Sequence, residues 1–176
     1  MFLPDQFVVY PAQGVGRIER LEHQQIGGQE VEFYIIRIFT NNVTVMLPVG
    51  NTKNIGLRGL CTPTEARQVL ASLRERGVCA GYGGQNWNRR YREYSERLKS
   101  PSLLDVGHVL KELLLISGEK ELSFGERRLL EQAMSLITSE LSHVLGREPR
   151  EIKAEIEGYY ADVLIKETPS QEMRNI

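Results

Sequence analysis

Two hydrophobic periods divide the chain near residue 60. Before that point, apolar residues alternate with polar ones or run in short blocks, as strands require. Phe7–Tyr10 is such a block, stopped by Pro11, and Gly14, Val15 and Gly16 read as a turn or a tightly bent strand. Residues 17–21 (RIERL) alternate, and Gly27-Gly28 marks a hairpin turn before the run from 31 to 39. Asn41-Asn42 then breaks that run from Val43–Pro48, and residues 54–58 supply a last short strand. Five short strands joined by tight turns predict a small SH3-like or Tudor-like barrel.

After Cys61 the period changes to that of helices. Thr62-Pro63-Thr64-Glu65 gives a capping threonine, a proline at the first helical position and the reciprocal glutamate. Val69, Leu70 and Leu73 follow as a stripe, and Gly77 closes it. Asn86 can cap a helix running to about Lys99, and Ser102 with Asp105 starts another. Ser123-Phe124-Gly125-Glu126 is a second capping box, ahead of apolar residues at 129, 130, 133, 136, 137, 141, 144 and 145. Gly146 ends that helix and Pro149 opens the last one. The predicted fold is therefore α+β in two domains, with a β domain over 1–61 and an all-α bundle over 62–166. Residues 167–176 form a polar tail expected to be disordered.

Composition excludes more than it identifies. With 22 basic and 23 acidic residues among 176, no overall excess of positive charge announces a polyanion binder. The distribution is uneven. Residues 84–100 carry five basic and two acidic side chains, whereas residues 101–165 carry twelve acidic and seven basic ones. Cys61, Cys79 and the three histidines share no metal-ligand spacing, so neither a zinc site nor any other metal site is expected. Nucleophile elbows, Walker loops and zincin motifs are missing, so no catalytic residue, cofactor or small-molecule substrate is assigned. The first residues lack the charged and apolar regions of a signal peptide, and no apolar run reaches the length of a membrane span. A cytoplasmic protein without membrane contact is expected.

The segment GYGGQNWNRRYREYSERLKS (81–100) is the most informative stretch. Its single tryptophan, Trp87, precedes Arg89, Arg90 and Arg92, with tyrosines at 82, 91 and 94. An aromatic beside guanidinium groups at a helix start suits a nucleic-acid backbone, with the indole free to stack or wedge. The same residues equally describe a solvated basic face with one core tryptophan.

The strings VVYPAQGVGRI, VTVMLPVGN, IGLR, NWNRRYRE and LSFGERRLL, in this order, resemble the CarD/CdnL family of bacterial transcription regulators. The likeness runs from about Phe7 to Leu164. It implies a Tudor-like N-terminal domain that binds the RNA polymerase β subunit. It also implies a helical C-terminal domain that binds promoter DNA at the upstream edge of the transcription bubble, largely without reading sequence, and so stabilises the open complex. On this resemblance Val45, Met46, Leu47 and Pro48 fall at the polymerase contact, with Met46 and Pro48 matching a Met-x-Pro pair. Other members carry arginines at the positions of Gln24 and Met46, so the contact here is expected to be apolar. Trp87 matches the family's wedge tryptophan. Arg89, Arg90 and Arg92, with Arg127 and Arg128, match basic DNA-contacting positions, although Arg90 or Tyr91 could equally pack across the bundle. The competing expectation is a protein-interaction adaptor whose basic helix meets an acidic protein surface rather than DNA.

Overall fold

The strands of the first half pair in the order in which they leave the chain. In the computed structural model, which describes residues 1–77 and 86–164, β1 (Phe7–Tyr10), β2 (Gly14–Ile26), β3 (Gln29–Ile38) and β4 (Val43–Pro48) form an antiparallel sheet of order β1-β2-β3-β4. The connector glycines at 81–84, Cys79, Tyr82 and the tail from 167 lie outside the described residues. Gly27 and Gly28 take φ of 59° and 81° between the paired residues Ile26 and Gln29. Positive φ at both positions is the two-residue turn that matches strand twist. The register of β2 on β3 slips between Ile18 and Arg20, a bulge that bends the 13-residue β2 so the sheet curls into a half-barrel. Val8, Ile18, Tyr34, Ile36, Ile38, Leu47 and Leu57 fill the concave side.

The fifth strand expected over residues 54–58 does not form. Thr52–Ile55 is instead a short helix, α1, which follows a 3-10 turn at Val49–Asn51 and ends at Gly56 with φ 81°. A left-handed residue there breaks extended backbone, and only Arg58 reaches the sheet, exchanging both backbone hydrogen bonds with Val9. That bridge covers part of the outer edge of β1. β4 is left as the open edge among the described residues.

The helical signals are met closely. Thr62 and Glu65 form the reciprocal capping box of α2 (Pro63–Arg74), and Ser123 and Glu126 form that of α5 (Phe124–Leu145). Between them run α3 (Trp87–Leu98) and α4 (Leu103–Glu119); α6 (Pro149–Tyr159) and a last turn, α7 (Ala161–Leu164), close the bundle. Gly146 ends α5 in the left-handed region, as its position suggested. Ser102 makes no side-chain cap to α4; the Ser100 hydroxyl instead bonds Asp105. The apolar face of α4, from Val106 through Ile116, is the bundle's centre, against Leu129, Ala133, Ile137 and Leu141 of α5.

The two cores meet across a polar seam. Arg58 donates from both terminal nitrogens to Glu140 of α5, at 2.6 and 2.9 Å, and the Cys61 amide donates to the same carboxylate at 2.8 Å. Glu140 is only 1% exposed, so the pair is desolvated and its geometry is held on three sides. Burial first, then the charge of Glu140, push the Cys61 thiol up to about 12. Beside them the His143 ring stacks on Phe39 and tilts against Phe7, and Gln132 donates to the Ala12 carbonyl.

Candidate nucleic-acid interface

Asn86 caps α3 by accepting from the Asn88 amide, which places Trp87 as the first helical residue, at the rim of the bundle. The indole is half-buried and packs against the helical core. Its benzo edge lies on the first turn of α5, so close that a Cβ at Gly125 would stand 2.8 Å from Trp87 Cζ2. The Tyr91 ring tilts against it at 5.7 Å, and the Arg90 guanidinium lies 5.5 Å above the indole centroid. The ring thus borders the core and leaves part of its surface exposed.

Arg90 is drawn inward. Its side chain is 12% exposed and donates at 2.8 Å to Glu126, itself 1% exposed. Glu126 also accepts from Lys120 at 3.0 Å and from the Ser123 amide at 2.9 Å. Burial alone would raise the Glu126 carboxyl, but the Ser123 amide, Lys120 and the Ser123 hydroxyl outweigh it and hold the group below its ordinary value. A charged carboxylate therefore anchors Arg90, and Arg90 roofs the indole. Packing across the bundle, the alternative left open for Arg90, is what the geometry displays.

The other arginines face solvent. Arg89 has a 73% exposed side chain and a loose pair with Glu93; Arg127 is 57% exposed, near Glu121 and the Leu122 carbonyl. Such exposed pairs are worth about 0–1 kcal/mol. Arg92 and Arg128 are exposed with no ion pair among the described residues. Two residues beyond Trp87, Arg89 lies on the opposite side of α3, so it is not brought beside the indole. Arg127 and Arg128 do follow directly on the turn that carries it. Phe124, 81% exposed at the head of that turn, had not been singled out. The sequence signal for it was its position off the apolar stripe that begins at Leu129.

The β4 residues divide by alternation. Leu47 is buried and Val45 packs against the β core, while Met46 is 46% exposed and Pro48 is half-buried. Gln24 donates to the Met46 sulfur at 3.7 Å, so the two positions expected to favour an apolar contact are neighbours. Among the described residues no cluster of histidine, cysteine and carboxylate could hold a metal, and no helix is long and apolar enough to cross a membrane.

Two family models match successive parts of the chain. The model of the CarD-like/TRCF RID domain matches residues 2–60, and that of the CarD C-terminal domain matches residues 68–157. The protein named "Putative transcription factor YdeB" of Bacillus subtilis (strain 168) is 24% identical over 158 residues, covering 88% of this chain and 99% of its own. The solved structure of CdnLNt from Myxococcus xanthus is 37% identical over 34% of this chain and 83% of that one, with a TM-score of 0.30. With both family models matched in order along one polypeptide, the chain belongs to the CarD/CdnL family of transcription regulators.

Proposed function

We propose that the protein binds the RNA polymerase β subunit through the open edge at β4 and promoter DNA at the upstream bubble edge through the Trp87 face, stabilising the open complex. The observation that carries this reading is the seat of Trp87. A lone indole is held half-exposed at a helix start by a buried Arg90–Glu126 pair, with solvent-facing arginines following on α3 and α5. Inserted at a base step, such a ring replaces lost stacking, and the arginines hold phosphates without reading sequence.

Support for the polymerase contact comes from the family match over residues 2–60 and from the edge itself. β4 presents unpaired backbone groups, and Met46 supplies a flexible, polarizable side chain beside them. Polymerase pull-down tests this half. Met46→Glu puts a charge on an exposed position without touching the β core, so the fold is expected to persist and capture to fall at least tenfold. Unchanged capture contradicts the β4 contact. The DNA half is separated from a protein-only adaptor by binding to forked DNA, which should weaken steeply with salt as phosphate contacts release counterions.

A further inference from the structure

α5 is apolar on more than the side that meets α4. Its buried stripe runs through Leu129, Ala133 and Ile137, whereas Leu130 and Met134 fall one residue further round the helix. Residues 127, 130, 131, 134, 135 and 138 share that second side, which extends over about 16 Å of helix axis. It forms one wall of a cleft of about 1020 Å³. The end of α4 with residues 119–122, the Lys153–Glu157 turn of α6, and Leu164 complete the lining. A Cβ at Gly118 would stand 2.6 Å from Val163, so α7 lies hard against α4 and brings Leu164 to the cleft.

The floor of the cleft is apolar, with Leu114, Leu122, Leu130 and Met134. Ser117 and Thr138 also line it, but their hydroxyls donate to the Leu114 and Met134 carbonyls of their own helices. Neither is left to orient a small polar ligand. The rim is acidic. Lys120 is held by both oxygens of the buried Glu126, which leaves Arg127 and Lys153 against Glu119, Glu121, Glu131 and Glu157. Glu119 and Glu131 are exposed and make no ion pair among the described residues.

We propose that this cleft receives a basic amphipathic helix of a partner protein. Its apolar side chains seat on Leu130 and Met134, and its lysines or arginines face Glu119 and Glu131. Laying the apolar face of one helix into a groove between others is a general mode of peptide recognition, and a methionine adapts such a floor to its guest. Complementary charge at the rim selects the partner and sets its register. A nucleic acid or an anionic lipid surface would bring like charge to the same carboxylates. Residues 165–176 carry two basic and two acidic side chains, so this chain's own tail has no net charge to match the rim. The proposal stands independently of the polymerase and DNA contacts.

The full-length protein, titrated with a labelled synthetic helix, provides the test. The probe has leucines at helical spacing on one face, lysines on the other, and about 15 residues, the length an isolated helix needs. A peptide of the same composition in scrambled order, and one with glutamates for lysines, serve as controls. The basic helix is expected to bind and both controls to fail. Glu131→Lys changes an exposed position and should weaken binding about fivefold, the upper range for one exposed ion pair, while Glu30→Lys in the β domain stays within twofold. Leu130→Ala should weaken it about tenfold with the protein still folded in its melting curve. Equal binding of the ordered and scrambled peptides, or full affinity in Glu131→Lys, overturns the proposal. Displacement of the probe by a synthetic peptide of residues 165–176, or a dimer of the protein that Glu131→Lys dissolves, assigns the cleft to this chain itself and overturns it too.

Discussion

Gly125 is the smallest residue in the second capping box, and the indole of Trp87 occupies the space a side chain would need. Inside an exposed helix, Gly→Ala ordinarily stabilises by roughly 0.8–1.0 kcal/mol. Here the added methyl meets a ring rather than a flexible chain end. Gly125→Ala is therefore expected to shift the emission maximum of the single tryptophan and to lower the melting temperature. An unchanged spectrum with a raised melting temperature would show that the seat is not tight. Glu126 gives a second expectation at this scale. Its folded carboxyl titrates below its ordinary value, so its contribution is complete above about 4.5 and disappears as pH falls through the depressed value. Stability of the wild-type protein should fall across that acidic window, with a smaller fall in Glu126→Gln. Identical slopes for the two proteins in urea titrations at stepped pH would contradict the assignment.

At the scale of elements, α5 carries both of the buried ion pairs. Near its start Glu126 holds Arg90, and fourteen residues later Glu140 holds Arg58 of the β domain, about 21 Å along the helix axis. Glu140→Ala strands Arg58 and the Cys61 amide at a buried seam, and is expected to cost about 3–5 kcal/mol in denaturant unfolding. A loss under 1 kcal/mol would mean that the seam does not lock the domains. The helices themselves were legible because their signals are local. Thr62 with Glu65, Ser123 with Glu126, and Gly146 each act within a few residues of the end they define. Residues 54–58 misled because their composition suits a strand, whereas Gly56 in the left-handed region turns the chain before pairing can spread. The Arg58–Glu140 and Arg90–Glu126 pairs span 82 and 36 residues, and no periodicity reports partners at such a distance. Trp87 and its arginines stood out by residue type, but only packing separates Arg90, which builds the seat, from Arg127 and Arg128, which face outward.

For the whole molecule, the polar seam makes the open β4 edge and the aromatic face parts of one body. On the proposed function, a weak contact with DNA gains strength once the same body is tethered to polymerase, because the second binding event is then intramolecular. Contacts made only with opened DNA shift the closed-to-open equilibrium by their own free energy, and ~1.4 kcal/mol is a tenfold shift. The proposed function thus rests on differential binding. The most direct measurement is the lifetime of open promoter complexes formed with the wild-type protein and with Trp87→Ala, at matched polymerase occupancy. Loss of one stacked aromatic should shorten the lifetime about tenfold while polymerase capture is unchanged. Equal lifetimes would contradict the account.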